Sequence, residues 1–254
     1  MSIESERHVE AVVAALRLLE CFENDVGLRA VDLQAMTGLQ YSRVMRLTGT
    51  LASRGFLFLD PDTGRYFLGP SLFRLGQLVR PRYDDLASAV RPILRTLVSE
   101  TEKTAMFSIT DGMSRLVLCK QEPMTSLRYT VSEGQARPIA SGASGRVILA
   151  FGPEALRQRV LKDLPEADAD RLKARVAEIR DRGYDVSVSE LTQDAFAVAC
   201  PAISTEGELL GVLTLAGPSG GLTEALTENY VSLLSAQVAL IPQASAVRSK
   251  PVQS

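Results

Sequence analysis

The 254-residue chain has one histidine, His8, three scattered cysteines (Cys21, Cys119 and Cys200) and no long apolar run. Each scarcity removes a class of function. With His8 so near the N-terminus, no Ser-His-Asp or Cys-His catalytic unit can be assembled in the body of the fold. Dispersed cysteines without a second histidine rule out the usual Cys/His zinc site and read as core thiols. No stretch approaches the roughly 18–20 apolar residues that span a bilayer. The polar start MSIESERHVEAV has acids where a signal peptide needs a basic region and an apolar core, so the sequence predicts a cytoplasmic protein. No cofactor and no metal are expected.

Formal net charge is only −2, yet it is unevenly spread. Residues 40–80 carry six arginines (Arg43, Arg46, Arg54, Arg65, Arg74 and Arg80) against Asp60 and Asp62. Residues 1–39 carry three arginines against seven acids. A near-neutral total therefore hides one basic segment, the electrostatic footprint of a nucleic-acid partner.

Helical spacing predicts a first helix from Val9 to Phe22, with Val12, Val13, Leu16, Leu19, Cys21 and Phe22 inward and a stop near Asn24-Asp25. The segment RAVDLQAMTG predicts a short second helix ending at Gly38, with Val31, Met36 and either Leu33 or Leu39 inward. A third begins at Ser42 as N-cap, buries Val44, Leu47 and Leu51, and runs out at Gly55. Helix, Gly-containing turn, then a helix with arginines at its start is the helix-turn-helix pattern. FLFLD and RYFLG flank the turn Pro61-Asp62-Thr63-Gly64, which predicts a β-hairpin wing with Arg65 just past its tip. A recognition helix in the major groove leaves such a wing against the backbone or minor groove, where arginine suits both.

This stretch resembles the winged-helix domain of the IclR family of bacterial transcriptional regulators. The carrying residues are Ser42, Arg46-Leu47, Leu51, Gly55, the run Asp60 to Tyr66, and Leu68-Gly69. The family often has Ser-Thr where this chain has Ser42-Arg43, which bears on operator preference. Gln40, Tyr41 and Arg43 are expected at base edges, Ser42, Arg46 and Arg65 at phosphates, and Thr63 also at the DNA.

Beyond SLFRLGQLV, a short amphipathic helix broken at Pro81, a longer helix is predicted from Asp84 to Thr101 with Leu86, Val90, Ile93, Leu94, Leu97 and Val98 inward. Strands follow at AMFSIT, SRLVLCK and SLRYTV, then small residues IASGASGRVILAF leading into a helix. A charged helix from Asp168 to Arg182 precedes strands DVSVS, AFAVACPAIS and LLGVLTLAG, and a last helix runs from Thr223 to Ile241. The fold class is α+β: a winged helix-turn-helix domain (1–70), a linker helix (71–83), an effector and oligomerisation domain with a mixed or antiparallel sheet (84–245), and a loose tail (246–254).

The resemblance extends here through Pro138, Gly145, Leu149-Ala150, Arg182-Gly183-Tyr184, Glu190, Ala199, Pro201, Gly211 and Gly217-Pro218. It implies a GAF-like domain that binds a small effector, often an organic acid, beside the sheet. Ser187, Asp194, Ala197 and the run Thr214-Leu215-Ala216 depart from polar residues common in the family. A less polar pocket and an effector with more hydrocarbon or an aromatic ring are therefore expected. Expected near the effector are Phe107, Leu118, Tyr129, Ser141, Gly142, Ala143, Ser187, Ala197 and Thr214, with Arg128 and Arg137 as the nearest cations. The run SGASGR lacks both phosphate-loop spacings, which leaves an anion at that helix's N-terminus as an open alternative.

The reading is a ligand-responsive DNA-binding regulator, a homodimer or tetramer on a palindromic operator, with no catalytic residue and no membrane partner. A sensor acting through a protein partner, or less readily an enzyme, is the alternative.

Overall fold

The computed structural model describes residues 9–22 and 26–241; His8, the stop at Asn24-Asp25 and the tail 246–254 lie outside the described residues. The chain divides into two compact units between Pro81 and Arg82.

In the first unit, α1 (Glu10–Glu20), α2 (Ala30–Thr37) and α3 (Tyr41–Ser53) pack around Leu18, Leu33, Val44, Leu57 and Tyr66. Gly38 ends α2 in the left-handed region (φ 70°), which turns the chain within three residues into α3. The N-cap of α3 is Gln40 rather than Ser42, so the helix starts two residues earlier than the serine suggested. The hairpin β1 (Leu57–Leu59) and β2 (Tyr66–Leu68) pairs in antiparallel register, and Leu28 bridges to Tyr66 beside it. Asp60 closes the turn by accepting from Thr63 Oγ1 at 2.6 Å and from the Asp62 N–H at 3.0 Å. The helix α4 (Pro70–Val79) completes this unit.

The inward faces of α1 and α2 differ from expectation. Ala14 and Leu18 are buried on α1, whereas Val12, Val13 and Leu16 are exposed; on α2, Val31 and Met36 also face outward. The α1 helix carries two apolar stripes, and periodicity alone does not say which one the chain itself covers.

In the second unit, one six-stranded sheet has the order β5-β4-β3-β8-β7-β6, with every pairing antiparallel, so the mixed alternative falls away. Its strands are β3 (Thr104–Asp111), β4 (Ser114–Gln121), β5 (Ala136–Pro138), β6 (Asp185–Val188), β7 (Ala195–Ile203) and β8 (Leu209–Pro218). The helix α5 (Pro81–Thr101) buries Leu86, Val90, Ile93, Leu94 and Leu97 on one sheet face, where α9 (Glu224–Val238) joins it. Thr223 caps α9, accepting from the Leu226 N–H at 3.2 Å. On the other face lie α6 (Gly142–Phe151) and α8 (Glu166–Arg182), with α7 (Glu154–Lys162) beside them. Residues 126–131, expected as a strand, form irregular chain; the strand beside β4 is β5, which begins five residues after Val131.

Cys119 and Cys200 are buried, which pushes their thiols up to about 12 and about 11. Neither supplies thiolate at neutral pH. Iodoacetamide added to the native protein is expected to label at most Cys21, and all three cysteines after denaturation. A native adduct on Cys119 or Cys200 would contradict this packing.

Candidate nucleic-acid interface and ligand pocket

At the start of α3, Gln40, Tyr41, Ser42 and Arg46 are exposed. Arg43 is half-buried and its Nη1 donates to Glu10 Oε1 at 2.7 Å. That Glu10 side chain is 83% exposed, so the pair is worth at most about 1 kcal/mol and exchanges readily for an external acceptor. In the wing, Thr63 is held by Asp60, and Arg65 Nη1 donates to the Gly27 carbonyl. Arg65 is thus partly committed within the fold, which sequence position alone did not reveal. Its remaining donors join the exposed Arg46 and the exchangeable Arg43, two arginines on the helix and one beside the hairpin.

In the second unit a cavity of about 390 Å3, counting its open mouth, sits where the start of α6 meets the sheet. Its floor is set by strand register. Met106 on β3 lies opposite Thr214 on β8, and Ala216 on β8 lies opposite Ala197 on β7, which lies opposite Ser187 on β6. Gly142, Ala143 and Ser144 at the first turn of α6 form one wall, and Tyr129 another. Thr104 Oγ1 donates to the Tyr129 carbonyl and ties that irregular segment to β3. The loop between β6 and β7 contributes Glu190, Leu191 and Thr192. Ser189 and Asp194 bracket that loop in the left-handed region, at φ 53° and 57°.

Of the expected effector residues, Tyr129, Gly142, Ala143, Ser187, Ala197 and Thr214 line the cavity. Phe107, Leu118 and Ser141 do not. Phe107 is wholly buried on the opposite sheet face against α5 and α9, and Leu118 packs there too. The pairing steps from Phe107↔Cys119 to Ser108↔Val117, so Leu118 is the extra residue of a β-bulge. Ser141 donates to the Pro138 carbonyl at 3.3 Å. Neither expected cation lines the cavity: Arg128 pairs with Glu122 at 3.0 Å, and Arg137 stands on β5 beside the cavity residue Arg115.

The cation in the cavity is Arg115, which sequence reasoning passed over. It is 5% exposed, no carboxylate pairs with it among the described residues, and its Nε has no hydrogen-bond partner. Burial lowers its pKa, with Tyr129 opposing and Arg137 adding to that effect. Thr214 Oγ1 is likewise buried without a partner. The pocket is therefore more polar at its base than the small residues Ala197 and Ala216 suggested.

Glu190 sits at the cavity's other edge. It accepts the Gly142 N–H at 2.9 Å and Arg146 Nη1 at 2.7 Å. Burial works to raise its pKa, but the hydrogen bonds from Arg146 and Gly142 outweigh burial and hold it below the usual range. Arg146 also donates Nε to Asp185 Oδ2 at 2.6 Å, and fully buried Asp185 takes Arg175 at 2.7 Å and Arg182 as well. One carboxylate thereby joins α6, α8 and β6 behind the pocket.

Among the described residues no cluster of His, Cys, Asp and Glu could hold a metal ion, and no helix is long and apolar enough to cross a membrane. A family model described as the IclR helix-turn-helix domain matches residues 11–61, and one described as bacterial transcriptional regulator IclR C-terminal matches 82–242. The chain belongs to the IclR family. It is a transcriptional regulator, of a family that does not consist of enzymes. The IclR-type chain is 27% identical over 223 residues to the HTH-type transcriptional regulator KipR of Bacillus subtilis (strain 168), covering 85% of this chain and 88% of that one. Its fold matches that of a regulator from Silicibacter sp. TM1040 with a TM-score of 0.74 at 24% identity, covering 91% and 94% of the two chains. An IclR homologue of Microbacterium hydrocarbonoxydans, crystallised with 4-hydroxybenzoate, matches with a TM-score of 0.65 at 20% identity, covering 91% and 97%.

Proposed function

We propose that this IclR-type regulator changes its operator affinity when a small organic or aromatic acid occupies the cavity between α6 and the sheet. The observation that carries the reading is the cavity itself, with buried polar groups awaiting partners, in a chain whose other unit exposes Gln40, Tyr41, Ser42 and Arg46 at the start of a recognition helix. In this reading DNA binding belongs to residues 1–70, coupling to 71–83, and effector binding to 84–245. Gln40, Tyr41 and Arg43 read bases, while Ser42, Arg46, Thr63 and Arg65 hold the backbone. The effector shifts operator affinity only by binding DNA-competent and incompetent arrangements unequally.

A homo-oligomer in the cytoplasm on a palindromic site completes the proposal. Its support is the exposed stripe Val12, Val13 and Leu16 on α1 with the N-cap Val9, at spacing that forms one continuous apolar face.

Titration calorimetry with 4-hydroxybenzoate and related acids tests the pocket. Tyr129→Ala and Thr214→Ala are each expected to weaken binding about tenfold or more, since each removes a wall or a buried donor. Unchanged affinity in both variants would remove this cavity as the effector site.

A further inference from the structure

We infer that Arg115 anchors the carboxylate of the effector and makes the site selective for monocarboxylates with an apolar or aromatic body. The inference rests on reading this cavity as the effector site. Among the described residues, three buried side-chain atoms have no hydrogen-bond partner: Ser108 Oγ, Arg115 Nε and Thr214 Oγ1. They are neighbours on one sheet face. Ser108 on β3 lies opposite Val117 on β4 and Val212 on β8. It is therefore diagonal to Arg115 on one side and to Thr214 on the other, within about 7–8 Å of each.

Native proteins rarely leave buried polar groups unpaired, and two of these three, Arg115 and Thr214, line the cavity. Water can satisfy the two hydroxyls, but it does not neutralise a buried guanidinium. An anion does, and a carboxylate matches the planar donor fork of Arg115. Arg137 stands directly opposite Arg115 across the β4–β5 ladder and raises the local positive potential. The first turn of α6 lies at the opposite, Glu190 edge, where its Gly142 N–H is already taken by that carboxylate. Met106, Ala197 and Ala216 give the remainder of the floor no charge, which suits a ring or short hydrocarbon. A second carboxylate at the far end would meet Glu190, already ionised and held in place, and be repelled.

The test compares melting temperatures of the wild-type full chain and Arg115→Met by circular dichroism. It is run in buffer and with millimolar benzoate, 4-hydroxybenzoate, hexanoate, terephthalate or 4-hydroxybenzamide. In buffer, Arg115→Met is expected to melt at or above the wild type, because it removes an uncompensated buried charge. The wild type should gain about 2–4 °C or more from at least one monocarboxylate and nothing from terephthalate or the neutral amide. Arg115→Met should gain nothing from any of them. The inference is overturned if the variant melts well below the wild type in buffer, if it keeps the carboxylate response, or if no monocarboxylate stabilises the wild type. DNA binding by the unliganded wild type is measured separately, so failure of the regulator reading is distinguishable from failure of this one.

Discussion

Replacing Asp185 by alanine should cost the second unit about 3–5 kcal/mol, the usual penalty for stripping one partner from a buried ionic cluster. Asp185 is fully buried and accepts from Arg146, Arg175 and Arg182. Arg146 keeps Glu190 and Arg175 keeps Glu178 when Asp185 is lost, but Arg182 has no other carboxylate among its hydrogen bonds here. The exposed ends of these arginines regain water; Arg146, with an 11% exposed side chain, does not. The chain has no tryptophan, so far-UV circular dichroism in urea is the suitable probe. The expected result is a clearly lowered midpoint for the transition of the sheet-bearing unit. A midpoint unchanged within error would show that the cluster contributes no net stability.

The second strong effect lies in the recognition helix, where two neighbouring arginines should fail differently. Arg46 is exposed and assigned to the phosphate backbone, so Arg46→Ala should weaken binding to all sequences and reduce the slope of log K against log salt by about 1. Arg43→Ala should cost about 1–3 kcal/mol on the cognate site and little on scrambled DNA. The ion pair with Glu10 sharpens this contrast. Glu10→Gln releases Arg43 and removes a negative charge beside the DNA, so it should tighten operator binding while the arginine variants loosen it. Equal losses for Arg43→Ala on cognate and scrambled DNA would move that residue to the backbone.

What could be read from sequence depended on how local the signal was. The wing was legible because Pro61 to Gly64 is a turn in its own right, and the structure closes it with Asp60, four residues from Gly64. The start of α6 was legible for the same reason, as a run of small residues entering an apolar helix. Signals that depend on distant partners failed. Residues 126–131 alternate like a strand but have no ladder to join, since β5 takes the edge beside β4. The helix α7 is short and charge-rich, and was missed between two stronger helices. Phe107 was placed in the pocket although β3 is buried on both faces from Thr104 to Ile109, which erases the alternation that tells one face from the other. Leu118 failed because a bulge shifts parity within β4.

Arg115 was missed for a different reason. In SRLVLCK a single arginine among apolar residues looks like the solvent-facing position of an alternating strand. Only the register, with Arg115 opposite Thr110 and facing the same side as Ser108 and Met106, puts it under the cavity. The correction changes the chemistry expected of the ligand. A pocket judged less polar from Ala197 and Ala216 contains a buried, unpaired cation at its base.

The most direct measurement is fluorescence anisotropy of the full chain on DNA from upstream of its own coding region, across a salt series, against scrambled competitor, with and without a stabilising monocarboxylate. The expected result is tight, competitor-resistant binding with a steep salt slope, and an affinity that changes when the acid is added. Binding no stronger than to scrambled DNA at every salt concentration, with or without the acid, would contradict a ligand-responsive regulator at that site.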